Sequence, residues 1–391
     1  MLDNLYLSLF VYIIIVLGFV TSYYGYWTLS SLKMDRIERR SIMLDWRFLT
    51  PCLLYAFLLG YRYDFAYDWE QYQQTFIYFQ KGILYKDTTE YGYLLINRLL
   101  GLLGGDYYSI FILEGFFWVF SICYMTKNNR RAWLFILPIV FIAHRFRCLN
   151  LSRQHFAMSL LYVGYGGLLS GKKIWFWIWG LIGCSVHTSS IIWILPFYLS
   201  YVFRKSLRFP KLYIAITLYF IILYFSETLL GELYQTADFI SSISDVTGSN
   251  KYTTDMISSE TFIWEAPSFF IKIIRAVKDI GYILLLYTLI ELKKINATEY
   301  ILLVIGFWAI YLKLFTDANE ITSRMFLYTT VINNVGWGIL TYKCFVNREI
   351  KSSVYFVFPV IVLLYSAYSL VNSTIQEAAK NIYIEYRDFI F

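Results

Sequence analysis

Charge is scarce in this chain. Only 16% of its 391 residues are Asp, Glu, Lys or Arg, against 58% hydrophobic residues and a mean hydropathy of +0.52. A soluble domain of this size would need far more polar surface, so that class is excluded. Cysteine is sparse as well: Cys52, Cys123, Cys148, Cys184 and Cys344 form no CxxC pair and lie mostly in apolar runs. They read as small buried hydrophobes, neither a disulfide framework nor a metal site. There is no P-loop, no GxSxG elbow, no HExxH and no dinucleotide fingerprint, so ATP-driven work is not expected and no cofactor is assigned. Soluble domains, low-complexity tracts and internal repeats are also lacking. The net charge of +7 sits in short loops between apolar runs, which speaks for a membrane and against a nucleic-acid partner.

What is present is a succession of apolar segments of spanning length. The expected spans are 5–27, 45–61, 107–126, 132–146, 154–170, 174–188, 189–203, 212–226, 269–290, 298–315, 324–342 and 353–371. The chain thus reads as one all-α polytopic membrane domain over 1–391. Leu5 to Tyr26 is too long for a signal h-region and lacks a basic n-region, so it reads as the first span. Lys33, Arg36, Arg39 and Arg40 precede the second span. Lys127, Arg130, Arg131, Lys172, Lys173, Arg204, Lys205, Arg208, Lys211, Lys293, Lys294, Lys343, Arg348 and Lys351 follow on the same side. The positive-inside rule makes that side cytoplasmic and puts both termini outside. The loop at 227–268 carries seven carboxylates against Lys251 alone, as a translocated loop should. Residues 62–106 fall on the same outer side. Within them, Gln71–Ile83 and Tyr91–Leu103 are expected as interfacial helices.

Polar groups collect at the outer ends of these spans. Arg62-Tyr-Asp-Phe-Ala-Tyr-Asp68-Trp-Glu70-Gln-Tyr72 gathers one Arg, three carboxylates and five aromatic side chains at a helix mouth. Glu90 follows, then His144, Arg145, Arg147, Arg153, Gln154 and His155, then His187 between two spans. Lys272, Arg275 and Lys278 recur every three residues on one span, and Asp317, Glu320 and Arg324 precede another. Arg offers a planar fork suited to phosphate oxygens, and a nearby carboxylate can act as base toward a hydroxyl. Each group has a bland rival. Arg62 and Asp68 could form a structural ion pair, and Arg145 and Arg147 could snorkel. His187 could be a satisfied buried His. Charges at mid-membrane cost roughly 2.5–3.5 kcal/mol each, which makes an idle Lys272/Arg275/Lys278 face expensive, although Asp279 is an available partner. Asp64, Asp68 and Glu70 suit a divalent ion chemically but match no defined ion loop, so no metal site is assigned.

These blocks together resemble the EpsG-like branch of the bacterial Wzy-type polysaccharide polymerases. Arg62 through Tyr72 with Phe76 is similar to the family's first motif, with Ala66 where the family usually has Gly. Glu90-Tyr-Gly-Tyr, Arg153-Gln154-x-x-Ala157, His187-Thr-Ser-Ser and Ser323-Arg324-Met-Phe-Leu-Tyr328 are similar to later ones, in order across 55–330. The resemblance implies a GT-C-like membrane glycosyltransferase of the bacterial inner membrane, acting on the periplasmic side. It would join undecaprenyl-diphosphate-linked repeat units of an O-antigen, capsule or exopolysaccharide and release undecaprenyl diphosphate. Implied partners are the lipid-linked donor and acceptor, membrane lipid, a chain-length regulator and a flippase. Arg153 and Arg324, then Arg275 and Lys278, would neutralise the leaving diphosphate. Asp68, with Glu90 as alternative, would orient or deprotonate the acceptor. His187 would assist, and Arg62, Arg147, Gln154 and Lys272 would bind substrate. Trp69 and Tyr72 would stack on sugars. The alternatives are a flippase for the same lipid-linked glycan and, more distantly, a membrane acyltransferase. Against the flippase, the candidate groups lie on one side rather than at the midplane.

Overall fold

The structure, a computed structural model, describes residues 46–60, 69–84, 90–204, 206, 208–235, 269–316, 324–351 and 353–379. Among them there is no strand, and every regular element is a helix. That is the economical answer for long apolar runs, since a helix satisfies its backbone groups within the segment. The chain divides into two compact units, Met1–Ile194 with Tyr365–Phe391, and Leu195–Leu364.

In the first unit α1 (Trp46–Gly60) precedes two short helices, α2 (Trp69–Gln80) and α3 (Tyr91–Leu102), followed by α4 (Tyr107–Met125). The two short helices lie where interfacial helices were expected. They form a hairpin pinned by polar contacts: Gln80 Nε2 donates to the Asn97 carbonyl at 2.7 Å, and Arg98 Nη1 donates to the Gln80 carbonyl at 2.8 Å. Arg98 thus closes the hairpin. Asp106 caps α4 by accepting from the Tyr108 and Ser109 amides at 3.0 and 3.3 Å, which ends the loop after Gly104-Gly105. A 3-10 turn at Lys127–Ala132 leads into α5 (Trp133–Asn150), which runs beyond the expected end at 146.

α6 (Ser152–Leu169) and α7 (Lys173–Val186) pack as a hairpin, with α6 also against α4 and α4 against α1. Gly183 permits that closeness, because a Cβ there would lie 2.9 Å from the Ala157 carbonyl oxygen. Antiparallel pairing puts the start of α6 and the end of α7 at one pole. A hydrophobic core of Trp69, Tyr72, Tyr93, Ile110, Phe111, Phe156, Ala157, Leu160 and Val186 lies among α2, α3, α4, α6 and α7.

α8 (Ile191–Val202) carries the chain into the second unit. There follow α9 (Leu212–Gln235), α10 (Phe269–Glu291), α11 (Ala297–Thr316), α12 (Leu327–Val346) and α13 (Val357–Ala379), whose C-terminal part belongs to the first unit. α11 packs on α12. Asn296 and Glu299 form a reciprocal capping box at the start of α11, each side chain accepting the other's amide at 2.8–2.9 Å. Glu299 is buried and pairs with Lys343 of α12 at 2.9 Å.

The expected spans differ from these helices mainly at their ends. α9 continues past 226 to Gln235 and α13 past 371 to Ala379, because spans drawn from hydropathy stop at polar residues and backbone hydrogen bonding does not. α12 begins at Leu327 rather than 324, after a turn at Phe326. Among the described residues, Tyr107–Met125 and Ala297–Leu314 are long and apolar enough to cross a membrane by themselves. Lys173–Val186, Thr188–Val202, Leu212–Phe225 and Val354–Tyr368 are shorter apolar helices. The first span, most of the acidic loop and the 61–68 segment lie outside the described residues.

Candidate functional site

The α6–α7 hairpin sets Arg153, in the first turn of α6, beside His187, the residue just past α7. Glu90 comes to the same pole by a different route. It immediately precedes α3 in extended conformation, and α3 can approach α7 only because residue 92 is glycine. A Cβ on Gly92 would lie 2.2 Å from Ser185 Oγ and 2.5 Å from the Ser185 carbonyl carbon and oxygen. The backbones touch two residues from Glu90 on one side and two from His187 on the other.

The result is a carboxylate shared between a guanidinium and an imidazole. Arg153 Nη1 donates to Glu90 Oε2 at 2.6 Å, and His187 Nδ1 meets Glu90 Oε1 at 2.6 Å. Positions 63 and 97 residues apart in sequence therefore converge on one side chain. Exposure is graded: the Arg153 and Glu90 side chains are 12% and 15% exposed, and His187 is 27% exposed. Arg153 also lies 5.9 Å from the ring centroids of both Tyr72 and Tyr93, so aromatic faces as well as Glu90 fix the guanidinium. Burial alone pushes the Glu90 carboxyl up. The His187 hydrogen bond and the His187 and Arg153 charges outweigh it, however, and hold Glu90 at about 2. Glu90 is therefore an ionised acceptor at neutral pH and a weak base.

Of the residues expected to act, Glu90, Arg153, His187 and Tyr72 are brought together. Gln154 and His155 are buried next to them in α6, and His155 packs edge-on to Trp118 at 5.1 Å. Trp69 and Tyr72 are each only 4% exposed. Stacking on sugars, expected of both, finds no open ring face: Trp69 packs on Tyr107, and Tyr72 on Tyr93 and Phe111. Both rings are part of the aromatic core, and Tyr72 also lies beside the Arg153 guanidinium. Arg62, Asp64 and Asp68 lie outside the described residues, as do Asp317, Glu320 and the side chains of Arg145 and Arg147. Lys272, Arg275 and Lys278 belong to α10 in the second unit, the first exposed and the others partly buried. Their neighbour Asp279 is buried and accepts from the Tyr219 hydroxyl at 3.4 Å. Arg324, partly buried, is also in the second unit, just ahead of α12. Among the described residues, no group of three or more His, Cys, Asp or Glu could hold a metal ion.

Sequence reading assigned no role to Tyr93, Gly92 or Glu114. Tyr93 follows Glu90 by three residues on a helix and is fully buried, and Glu114 is buried on α4 within electrostatic reach of it. Helical spacing from Glu90 was the available signal for Tyr93. A lone carboxylate inside the apolar 107–126 run was the signal for Glu114.

No curated protein and no solved structure matches the chain. The sequence model of the EpsG family matches residues 45–387, which takes in every residue of this site. The chain belongs to the EpsG family.

Proposed function

We propose that this protein is a membrane glycosyltransferase that polymerises polysaccharide repeat units carried on undecaprenyl diphosphate, at the periplasmic face of the inner membrane. Membership of the EpsG family and the apolar helices support a membrane protein of polysaccharide polymerase type. The observation that carries the reading is the Glu90 bridge between Arg153 and His187. It gathers an anion-binding group and a proton-transfer group at one partly open pole, over a rigid aromatic floor.

In this reading the acceptor hydroxyl of one lipid-linked unit attacks the anomeric carbon of another chain's reducing-end sugar, and undecaprenyl diphosphate departs. Arg153 uses one N–H toward Glu90 and retains further donors in its fork for phosphate oxygens. Its position is preset, so no reorganisation is needed as charge develops on the leaving group. In the second unit, Arg324, Arg275 and Lys278 are proposed to neutralise diphosphate, with Arg62, Arg147, Gln154 and Lys272 proposed in substrate binding. Asp68 is proposed to orient the acceptor.

The test is reconstitution of the purified protein with lipid-linked repeat units and no nucleotide. A ladder of lengthening glycans, lost in Arg153→Ala, supports the proposal. Translocation of units without elongation would refute it in favour of a flippase.

A further inference from the structure

We infer that His187 Nε2 takes the proton from the acceptor hydroxyl, and that Glu90 is a positioning residue that fixes the imidazole for this task. The inference rests on the polymerase reading above and assigns the base within it.

The geometry decides between the two candidates at the bridge. Both Glu90 oxygens are engaged, Oε2 by Arg153 and Oε1 by His187, each at 2.6 Å. A substrate hydroxyl reaching Glu90 would have to displace one of them. Glu90 is also the less exposed, at 15% against 27% for His187. An ionised carboxylate has no proton to give, so the contact at Oε1 requires Nδ1 to carry the hydrogen. In the neutral ring that leaves Nε2 as a lone-pair acceptor, on the nitrogen not turned toward Glu90. Glu90 stays ionised beside the neutral ring, since the His187 hydrogen bond and the Arg153 charge both lower its carboxyl. Such a carboxylate is poor at accepting a hydroxyl proton, whereas imidazole is suited to it near neutral pH.

The step balances. The acceptor oxygen gives its proton to Nε2 and forms the new bond to the anomeric carbon. The bond from that carbon to the diphosphate oxygen breaks, and its electron pair leaves with undecaprenyl diphosphate. The imidazolium, held by Glu90, then releases its proton to water. Arg153 ties the second Glu90 oxygen, so the carboxylate cannot rotate away from the ring.

Two measurements on the full-length protein test this. The chain has three histidines, so ¹⁵N spectra of a histidine-labelled sample can be assigned with His187→Gln. The neutral His187 ring is expected as the Nδ1–H tautomer. In Glu90→Gln the amide NH₂ can donate to Nδ1 and is expected to turn the ring to the Nε2–H tautomer. In the elongation assay, His187→Gln and Glu90→Gln should each lower kcat on the order of 10²–10⁴-fold with little change in KM. Glu90→Asp should recover part of the loss. An Nε2–H ring in the wild type, or a His187→Gln variant that elongates at the normal rate, would overturn the assignment and leave the polymerase reading standing. A wild-type protein that builds no ladder would overturn both.

Discussion

Replacing Gly92 with Ala tests the architecture of the site without touching a polar group. The new Cβ would stand 2.5 Å from the Ser185 carbonyl carbon and oxygen, which are backbone atoms and cannot swing aside. Restoring an ordinary contact of 3.4 Å therefore requires α3 and α7 to part by about 0.9 Å. Overpacking of this kind costs about 1–3 kcal/mol. Glu90 and His187 each lie two residues from the clash, so their 2.6 Å contact would stretch toward about 3.5 Å and cease to be a useful hydrogen bond. Thermal melting in detergent should show a destabilised but folded protein, and elongation should fall about as far as in Glu90→Gln. The ¹⁵N spectrum should show His187 without its fixed tautomer. A Gly92→Ala protein with wild-type melting and wild-type elongation would refute the claim that close approach of α3 and α7 builds the site.

Three further outcomes are expected. Glu90 is held at about 2 in the folded protein against about 4.3 unfolded, so its ionised form adds about 3 kcal/mol above pH 4.3, lost as the pH falls from there toward 2. Melting temperatures should drop more steeply over that window in the wild type than in Glu90→Gln; equal slopes would contradict the bridge. Arg153→Lys keeps the charge but loses the planar fork that faces Glu90 and lies near Tyr72 and Tyr93, so elongation should fall nearly as far as in Arg153→Ala, as gel ladders would report. In the second unit, Lys343→Ala would leave the buried Glu299 carboxylate with the Asn296 amide but without its cation and should cost about 1–3 kcal/mol, measured by denaturant unfolding, while Glu299→Gln, which retains an oxygen for the Asn296 amide, should cost less.

Much of the frame was legible beforehand. Long apolar runs can satisfy their backbones only as helices, and all but the first of the expected spans fall on helices among the described residues. The short helix α2 was visible from aromatic spacing, and the end of α3 from Gly104-Gly105. Helix ends were less legible, because hydropathy stops at Glu227 while α9 does not. The burial of Trp69 and Tyr72 was not legible, since an aromatic ring looks the same in sequence whether it awaits a sugar or fills a core. Only packing distinguishes the two.

Composition determined that the chain is apolar, the runs of apolar residues that the described residues are helical, and local motifs identified Glu90, Arg153 and His187 as residues of interest. Their partnership was decided by tertiary structure. A sequence carries no distance between positions 90 and 187. That distance is set by antiparallel pairing of α6 with α7 and by the absence of a side chain at Gly92, which lets a third helix reach the same pole. The scarcity of charge shows its consequence here, where an arginine and a histidine converge on a single carboxylate.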